Sequence, residues 1–312
     1  MTAATVRPES ELNTTGVHSP AAFADSLPDD LRSTSETVLK AGLDRRELSL
    51  LLSRNAGSDS RSAKPIQDIK AQLGMAPEDD SLERLMIRLR AEDALGQIDG
   101  LPVHPFVKKS LDNDIQALLT TREPLTAGSY NFARAAKLVT LRRFPAGPME
   151  WEVSGVPRSW LLRARFADFF RLLTFVTTRL GGFQPCFFMH VAPRPRSLAL
   201  VMEREVMRAY YRMARSLELQ PEVRGIVASA WFHDPQAVAD NPHLEALSRP
   251  YTKNGGIIVL LEKADEASGV LEGSPKRRML FEQGLLSYRN GLALWPRAEV
   301  LAWAEAHPEY EG

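Results

Sequence analysis

Pro185-Cys-Phe-Phe-Met-His-Val191, Val223-Arg-Gly-Ile-Val-Ala-Ser-Ala-Trp-Phe232, Gly255-Gly-Ile-Ile-Val-Leu-Leu261 and Gly291-Leu-Ala-Leu-Trp295 are short runs of branched and aromatic residues set off by Gly, Pro or Asn. That composition and length read as buried strands. The segments between them have helical periodicity, so the chain from about residue 131 is an α/β layer domain, a mixed central sheet flanked by helices. The expected order from residue 136 is β-β-α-β-α-β-α-β-α-β-α. Its first two strands are 137–141 and 149–153, paired around the turn-forming Phe144-Pro-Ala-Gly-Pro148. Residues 160–180 read as one long amphipathic helix closed by Gly181-Gly182.

Upstream the pattern changes. Residues 1–28 are rich in Ser, Thr, Pro and Ala and read as a disordered tail. Residues 29–122 form a helical N-terminal region. In it Leu82, Leu85, Met86 and Leu89 follow the spacing of one helix face, and Asp80 and Glu83 have the spacing of a capping box. Residues 123–130, with Pro124 and Gly128, read as an exposed linker to the α/β domain 131–312.

Lys plus Arg and Asp plus Glu are 39 each, which removes a whole-chain electrostatic case for nucleic acid. A hydrophobic content of 44% supports a folded core. The single cysteine, Cys186, rules out an intrachain disulfide framework and a cysteine-cluster zinc site. No window of about 18 apolar residues occurs and no secretory leader pattern is present, so the expected setting is cytoplasmic with no transmembrane segment.

The candidate chemistry lies at strand carboxyl ends, where ligands collect in open α/β sheets. His190 ends the run 185–191 and is the preferred general base. The loop Pro193-Arg-Pro-Arg196 and the N-cap candidate Ser197 form an anion site on the reading that helix N-terminal amides favour phosphate, with Arg194 and Arg196 as its cations. Ser274-Pro-Lys-Arg-Arg278 is a second anion candidate. Lys276, Arg277 and Arg278 sit in a first helical turn, against the helix dipole, where a bound anion would relieve them. His233 can line the same cleft as His190, and Tyr251 can donate a proton. Each has a bland alternative: a hydrogen-bonded core histidine, a packed tyrosine, a solvated basic face. Ser229, His233 and Asp234 do not make a nucleophile elbow, because Ser229 lies inside a strand without flanking glycines. No metal-ligand set emerges.

The order of elements over 185–261 resembles the second half of the GCN5-related N-acyltransferase fold: a central strand, a phosphate-contacting loop and helix, a strand, a helix, a strand. Leu247-Ser-Arg-Pro-Tyr-Thr-Lys-Asn-Gly-Gly256 resembles that family's tyrosine-containing turn. The family's Gly-rich pyrophosphate loop is replaced here by Ala192-Pro-Arg-Pro-Arg-Ser197. The resemblance implies transfer of an acyl group from a thioester co-substrate, acyl-CoA or an acyl-carrier thioester, to an amine of a small molecule or lipid. His190 would be base and Tyr251 proton donor. No permanently bound cofactor is implied. Two other readings stand beside it: a non-catalytic regulatory or scaffold protein that binds a partner through 29–122, and a module that binds phosphorylated ligands without chemistry.

Overall fold

The computed structural model describes residues 27–57, 60–164, 166–192, 203–265, 269–271 and 274–311. The chain divides into two compact units, Met1–Leu89 with Glu123–Ala133, and Arg90–Arg122 with Arg134–Gly312.

The first unit is helical, with α1 (Asp29–Lys40), α2 (Arg45–Arg54), α3 (Ser60–Gln72) and the start of α4 (Ser81–Leu95). Leu82, Leu85, Met86 and Leu89 are all buried, as their spacing requires. The capping box lies elsewhere than expected: Asp44 accepts from the Glu47 amide at 2.8 Å while Glu47 accepts from the Asp44 amide at 2.9 Å. Glu83 turns inward instead, to the buried Lys70 ammonium at 3.0 Å. Glu83 also accepts from the Ala127 amide, and Asp80 from the Leu125 amide, at 3.1 and 2.7 Å. Leu125 and Ala127 are buried, so the stretch read as an exposed linker is fastened by two carboxylates. Sequence spacing is blind to such a fastening.

In the second unit α5 (Pro105–Thr120) precedes a six-stranded sheet: β1 (Arg143–Pro145), β2 (Met149–Gly155), β3 (Pro185–Val191), β4 (Gly225–Ala230), β5 (Ile257–Lys263) and β6 (Arg289–Pro296). The spatial order is β1-β2-β3-β4-β6-β5, with β3 and β4 parallel and the other pairs antiparallel. The expected strand 137–141 is a helix end. Phe132, Ala136 and Val139 are buried at helical spacing, so α6 (Tyr130–Val139) runs through it, and a left-handed Leu141 turns the chain into β1. The helix expected over 160–180 is two, α7 (Ser159–Arg163) and α8 (Phe166–Thr178), ended by left-handed Gly181 and Gly182 as expected. The strand 223–232 stops at Ala230, and Trp231–His233 forms a 3₁₀ turn.

Helices cover both sheet faces. On one, Leu172 and Val176 of α8 pack with Leu180 on Cys186, Val227, Val259, Leu292 and Leu294. Burial pushes the Cys186 thiol up to about 12, which suits a packing residue and not a nucleophile. The other face carries Trp151, Phe187 and Trp295. It is covered by α9 (Glu203–Glu218), α11 (Glu245–Lys253) and α13 (Arg297–Ala306), with Tyr210 edge-on to Trp295 at 5.8 Å and Trp295 to Trp303 at 5.4 Å. The remaining short helices are α10 (Pro235–Asp240) and α12 (Pro275–Glu282).

β4 and β6 meet so closely at Gly225 that a Cβ there would lie 2.2 Å from the Trp295 carbonyl oxygen. Gly225→Ala must part the two strands and is expected to cost about 3 kcal/mol by chemical denaturation. Gly100→Ala, where nothing lies within 4 Å, is the neutral control. Equal midpoints for the two variants would contradict this strand contact.

Candidate functional site

The antiparallel register of β2 and β3 sets Glu150 opposite His190 and Glu152 opposite Phe188, so these four side chains share one face. His190 Nε2 lies 3.1 Å from Glu152 Oε1, and Lys137 of α6 reaches the other oxygen at 2.8 Å. Beneath them Arg134 pairs with Glu150 and with Asp114, while Arg143 lies 3.7 Å from Glu150. Burial opposes the Glu152 charge, but the hydrogen bonds from His190 and Lys137 outweigh it and hold the carboxyl at about 2. Burial lowers the pKa of His190, an effect partly offset by Glu152 and reinforced by Arg143 and Lys137. At neutral pH the pair is therefore an ionised carboxylate and a neutral imidazole. An ionised carboxylate only accepts, so Nε2 carries the proton and Nδ1 keeps its lone pair. Sequence reasoning found His190 and missed Glu152. The signal was present in the alternation Met149-Glu-Trp-Glu-Val153, which puts both glutamates on one strand face.

His190 stands on one lip of a gap in the sheet. β3 and β4 pair only at Phe187↔Ile226 and Phe188↔Val227. Beyond these, β3 stays paired to β2 as far as Val191, and β4 to β6 as far as Ala230. The facing edges 189–191 and 228–230 have no ladder between them, and the sheet opens as a wedge at the strands' carboxyl ends. His190, Val191, Ser229 and Ala230 are part-exposed there, whereas Phe187, Ile226 and Val227 are buried. Ser229 is the penultimate residue of β4, still paired to β6 and on the same face as His190, with no elbow geometry.

Tyr251 and His233 do not join His190 through any hydrogen bond or ring contact among the described residues. Tyr251 is fully buried, edge-on to Tyr210 at 5.7 Å and 5.6 Å from Trp295. Burial raises its pKa, so the phenol keeps its proton, while the Tyr210 hydroxyl beside it donates to the Leu247 carbonyl at 2.8 Å. His233 shares a 2.8 Å hydrogen bond with Ser248, leans on Tyr251 at 5.6 Å, and leaves no room for a side chain at Gly291. Burial holds its imidazole down to about 3. Below its ordinary value the unfolded chain takes up a proton that the folded chain refuses until about pH 3. Stability from this group is therefore present above about pH 6.5 and lost as pH falls, by about 1.4 kcal/mol per pH unit. Between pH 7 and 4.5 the parent should lose about 2–3 kcal/mol more than His233→Gln, which cannot titrate. Parallel stability curves for the two would show that His233 protonates freely in the fold.

Arg194, Arg196 and Ser197 lie outside the described residues. In α12, Ser274 caps the Arg277 amide as expected, at 3.3 Å. The three cations part company, however. Arg277 donates to the Val270 carbonyl at 2.6 Å and stacks 4.7 Å over Trp231, the residue after β4, whereas Lys276 and Arg278 are exposed. Among the described residues no group of three His, Cys, Asp or Glu side chains can hold a metal, and no helix is long and apolar enough to cross a membrane.

No protein-family model and no curated protein sequence matches the chain. Among solved structures it is similar to an acyltransferase mutant in complex with octanoyl-CoA, at 14% identity and TM-score 0.38 over 88% of this chain and 87% of that one. It is also similar to an acyltransferase in complex with CoA and 10C-teicoplanin, at 12% identity and TM-score 0.36 over 84% of this chain and 99% of that one.

Proposed function

We propose that the protein transfers an acyl group from a thioester donor, acyl-CoA or an acyl-carrier thioester, to an amine. The observation that carries this reading is the wedge between β3 and β4 with His190 on its lip. Strand edges that separate inside a sheet leave amides and carbonyls in need of partners. A pantetheine arm carries amides at a matching scale and can lie along such an edge as an added strand does. Edge amides left unpaired in the wedge would then face the thioester carbonyl, where negative charge grows as the amine attacks.

In the proposed reaction His190 Nδ1 takes the proton of the attacking amine, and Glu152 stabilises the imidazolium that results. The new C–N bond forms as the C–S bond breaks. Tyr251 is fully buried against Trp295, on the sheet face opposite His190, so the leaving thiolate is proposed to take the proton that His190 carries as imidazolium. Arg194, Arg196 and Ser197 are the proposed seat of the donor's phosphates, with Lys276 and Arg278 as further cations. An amine of a small molecule or lipid is the proposed acceptor.

Calorimetric titration with CoA and with acyl-CoAs of increasing chain length tests the donor, and thiol release in the presence of amines tests the transfer. Arg194→Gln with Arg196→Gln should weaken CoA binding by about 1.5–3 kcal/mol per lost contact without lowering the melting temperature. Absence of binding by every CoA thioester, with the fold intact, would remove the reading.

A further inference from the structure

We propose that the corner formed by α7 and the first turns of α8 is a docking surface for an anionic lipid bilayer. The observation is a set of large apolar side chains where helix patterning calls for polar ones. Leu162 and Phe166 are 84% exposed and Phe170 is 60% exposed. α8 already has a buried face, Leu172 and Val176, that packs on the sheet. Phe166 and Phe170 stand four residues apart on a different side of the same helix. Further along that ridge Thr174 and Thr178 are exposed, and the Thr178 hydroxyl bonds back to the Thr174 carbonyl at 2.7 Å. The outward ridge is therefore polar in its second half and aromatic in its first. The rings are organised among themselves: Phe166 meets Phe170 edge-on at 6.1 Å, and Phe169 meets Phe170 edge-on at 5.3 Å.

Charge around the apolar cap indicates what covers it. Arg158, Arg163 and Arg171 are all exposed in or beside the two helices. Arg158 lies 5.6 Å over the Phe183 ring, and Arg163, more than half exposed, meets Glu262 at 3.3 Å. Asp168 is the acidic residue within 156–171. Exposed aromatic side chains flanked along the chain by exposed guanidinium groups suit a bilayer interface, the rings for the acyl boundary and the cations for the phosphates. A helix of this kind lies in the interface and does not span it.

The surface is tied to the wedge by Trp160 of α7, whose ring packs on Phe188 at 5.6 Å, and Phe188 packs on His190 at 4.8 Å. A membrane-held acceptor or a long acyl chain would thus arrive beside the proposed base. The docking itself does not rest on the acyl-transfer reading, because vesicle binding is measured without turnover.

The test is flotation of the full chain with phosphatidylcholine vesicles, with and without phosphatidylglycerol. The expected result is binding to the anionic vesicles that weakens as salt is raised. Phe166→Ser with Phe170→Ser should lower the partition coefficient about 30-fold or more, because two rings no longer leave water. Arg163→Gln with Arg171→Gln should lower it about 5-fold per charge on the anionic vesicles alone. Circular dichroism melting should be unchanged in both double variants, since all four side chains are exposed. The proposal is overturned if the parent does not float with anionic vesicles, or if the Phe166→Ser, Phe170→Ser variant floats equally well. It is also overturned if the parent is a dimer that this variant splits, which would make the corner a self-interface. Failure here with acyl-CoA binding intact leaves the proposed reaction standing; the converse leaves the docking surface standing.

Discussion

His190→Gln is expected to lower kcat for acyl transfer by about 10²–10⁴-fold while leaving acyl-CoA affinity nearly unchanged. The glutamine keeps the size of the side chain and a donor for Glu152, but it cannot take the amine's proton. Because burial has already lowered the pKa of His190, the parent should stay active below pH 6.5 and lose activity only as pH falls through that lowered value. Glu152→Gln removes the carboxylate that raises the His190 pKa and that pairs with Lys137, while Arg143 keeps Glu150 at 3.7 Å. The acid limb of kcat/KM should then move to still lower pH, with the rate down about 10-fold as the imidazolium loses its counter-charge. An unshifted acid limb in Glu152→Gln, or full turnover in His190→Gln, assigns the pair to structure and the base to another group.

Arg134→Met should destabilise the sheet domain by about 3–5 kcal/mol. The Glu150 side chain is 1% exposed, and Arg134 is its close partner, with Arg143 left at 3.7 Å once Arg134 is gone. Removing the guanidinium leaves a buried carboxylate poorly compensated, which costs far more than the pair contributes when intact. Glu150→Leu in the Arg134→Met background should recover part of the loss, because the uncompensated carboxylate is then absent while the buried Arg143 keeps Glu152 at 4.0 Å. Denaturant midpoints for the single and double variants give the coupling directly. A double variant as unstable as Arg134→Met alone would mean that the arginine acts by packing or through Asp114.

The helices of the first unit were legible because burial on one side imprints a period, which Leu82, Leu85, Met86 and Leu89 display, and the strand 185–191 because burial on both faces leaves a continuous apolar run, with Cys186 on one face and Phe187 on the other. The same signal misled at 137–141, where branched residues that read as a strand complete the buried stripe of α6. It misled again at Trp231 and Phe232, whose aromatic character continues β4 in composition but not in backbone. In the site, His190 was legible by its position at a strand end. Glu152 was not, because its relation to His190 depends on the pairing of two strands separated by two helices.

By itself the amino-acid sequence determined the alternating α/β content, the strand that carries His190, the N-cap at Ser274 and the glycine stop at Gly181-Gly182. All of these are local: a period, a cap or a backbone conformation is set by neighbours within a few residues. Tertiary structure alone decided the order β1-β2-β3-β4-β6-β5, the parting of β3 from β4 after two residue pairs, and the placing of Glu152 against His190. It also decided that Arg277 stacks on Trp231 while Lys276 and Arg278 stay in solvent. Each of those outcomes depends on contacts between segments tens of residues apart. Their energy comes from burial and charge pairing that no local spacing encodes.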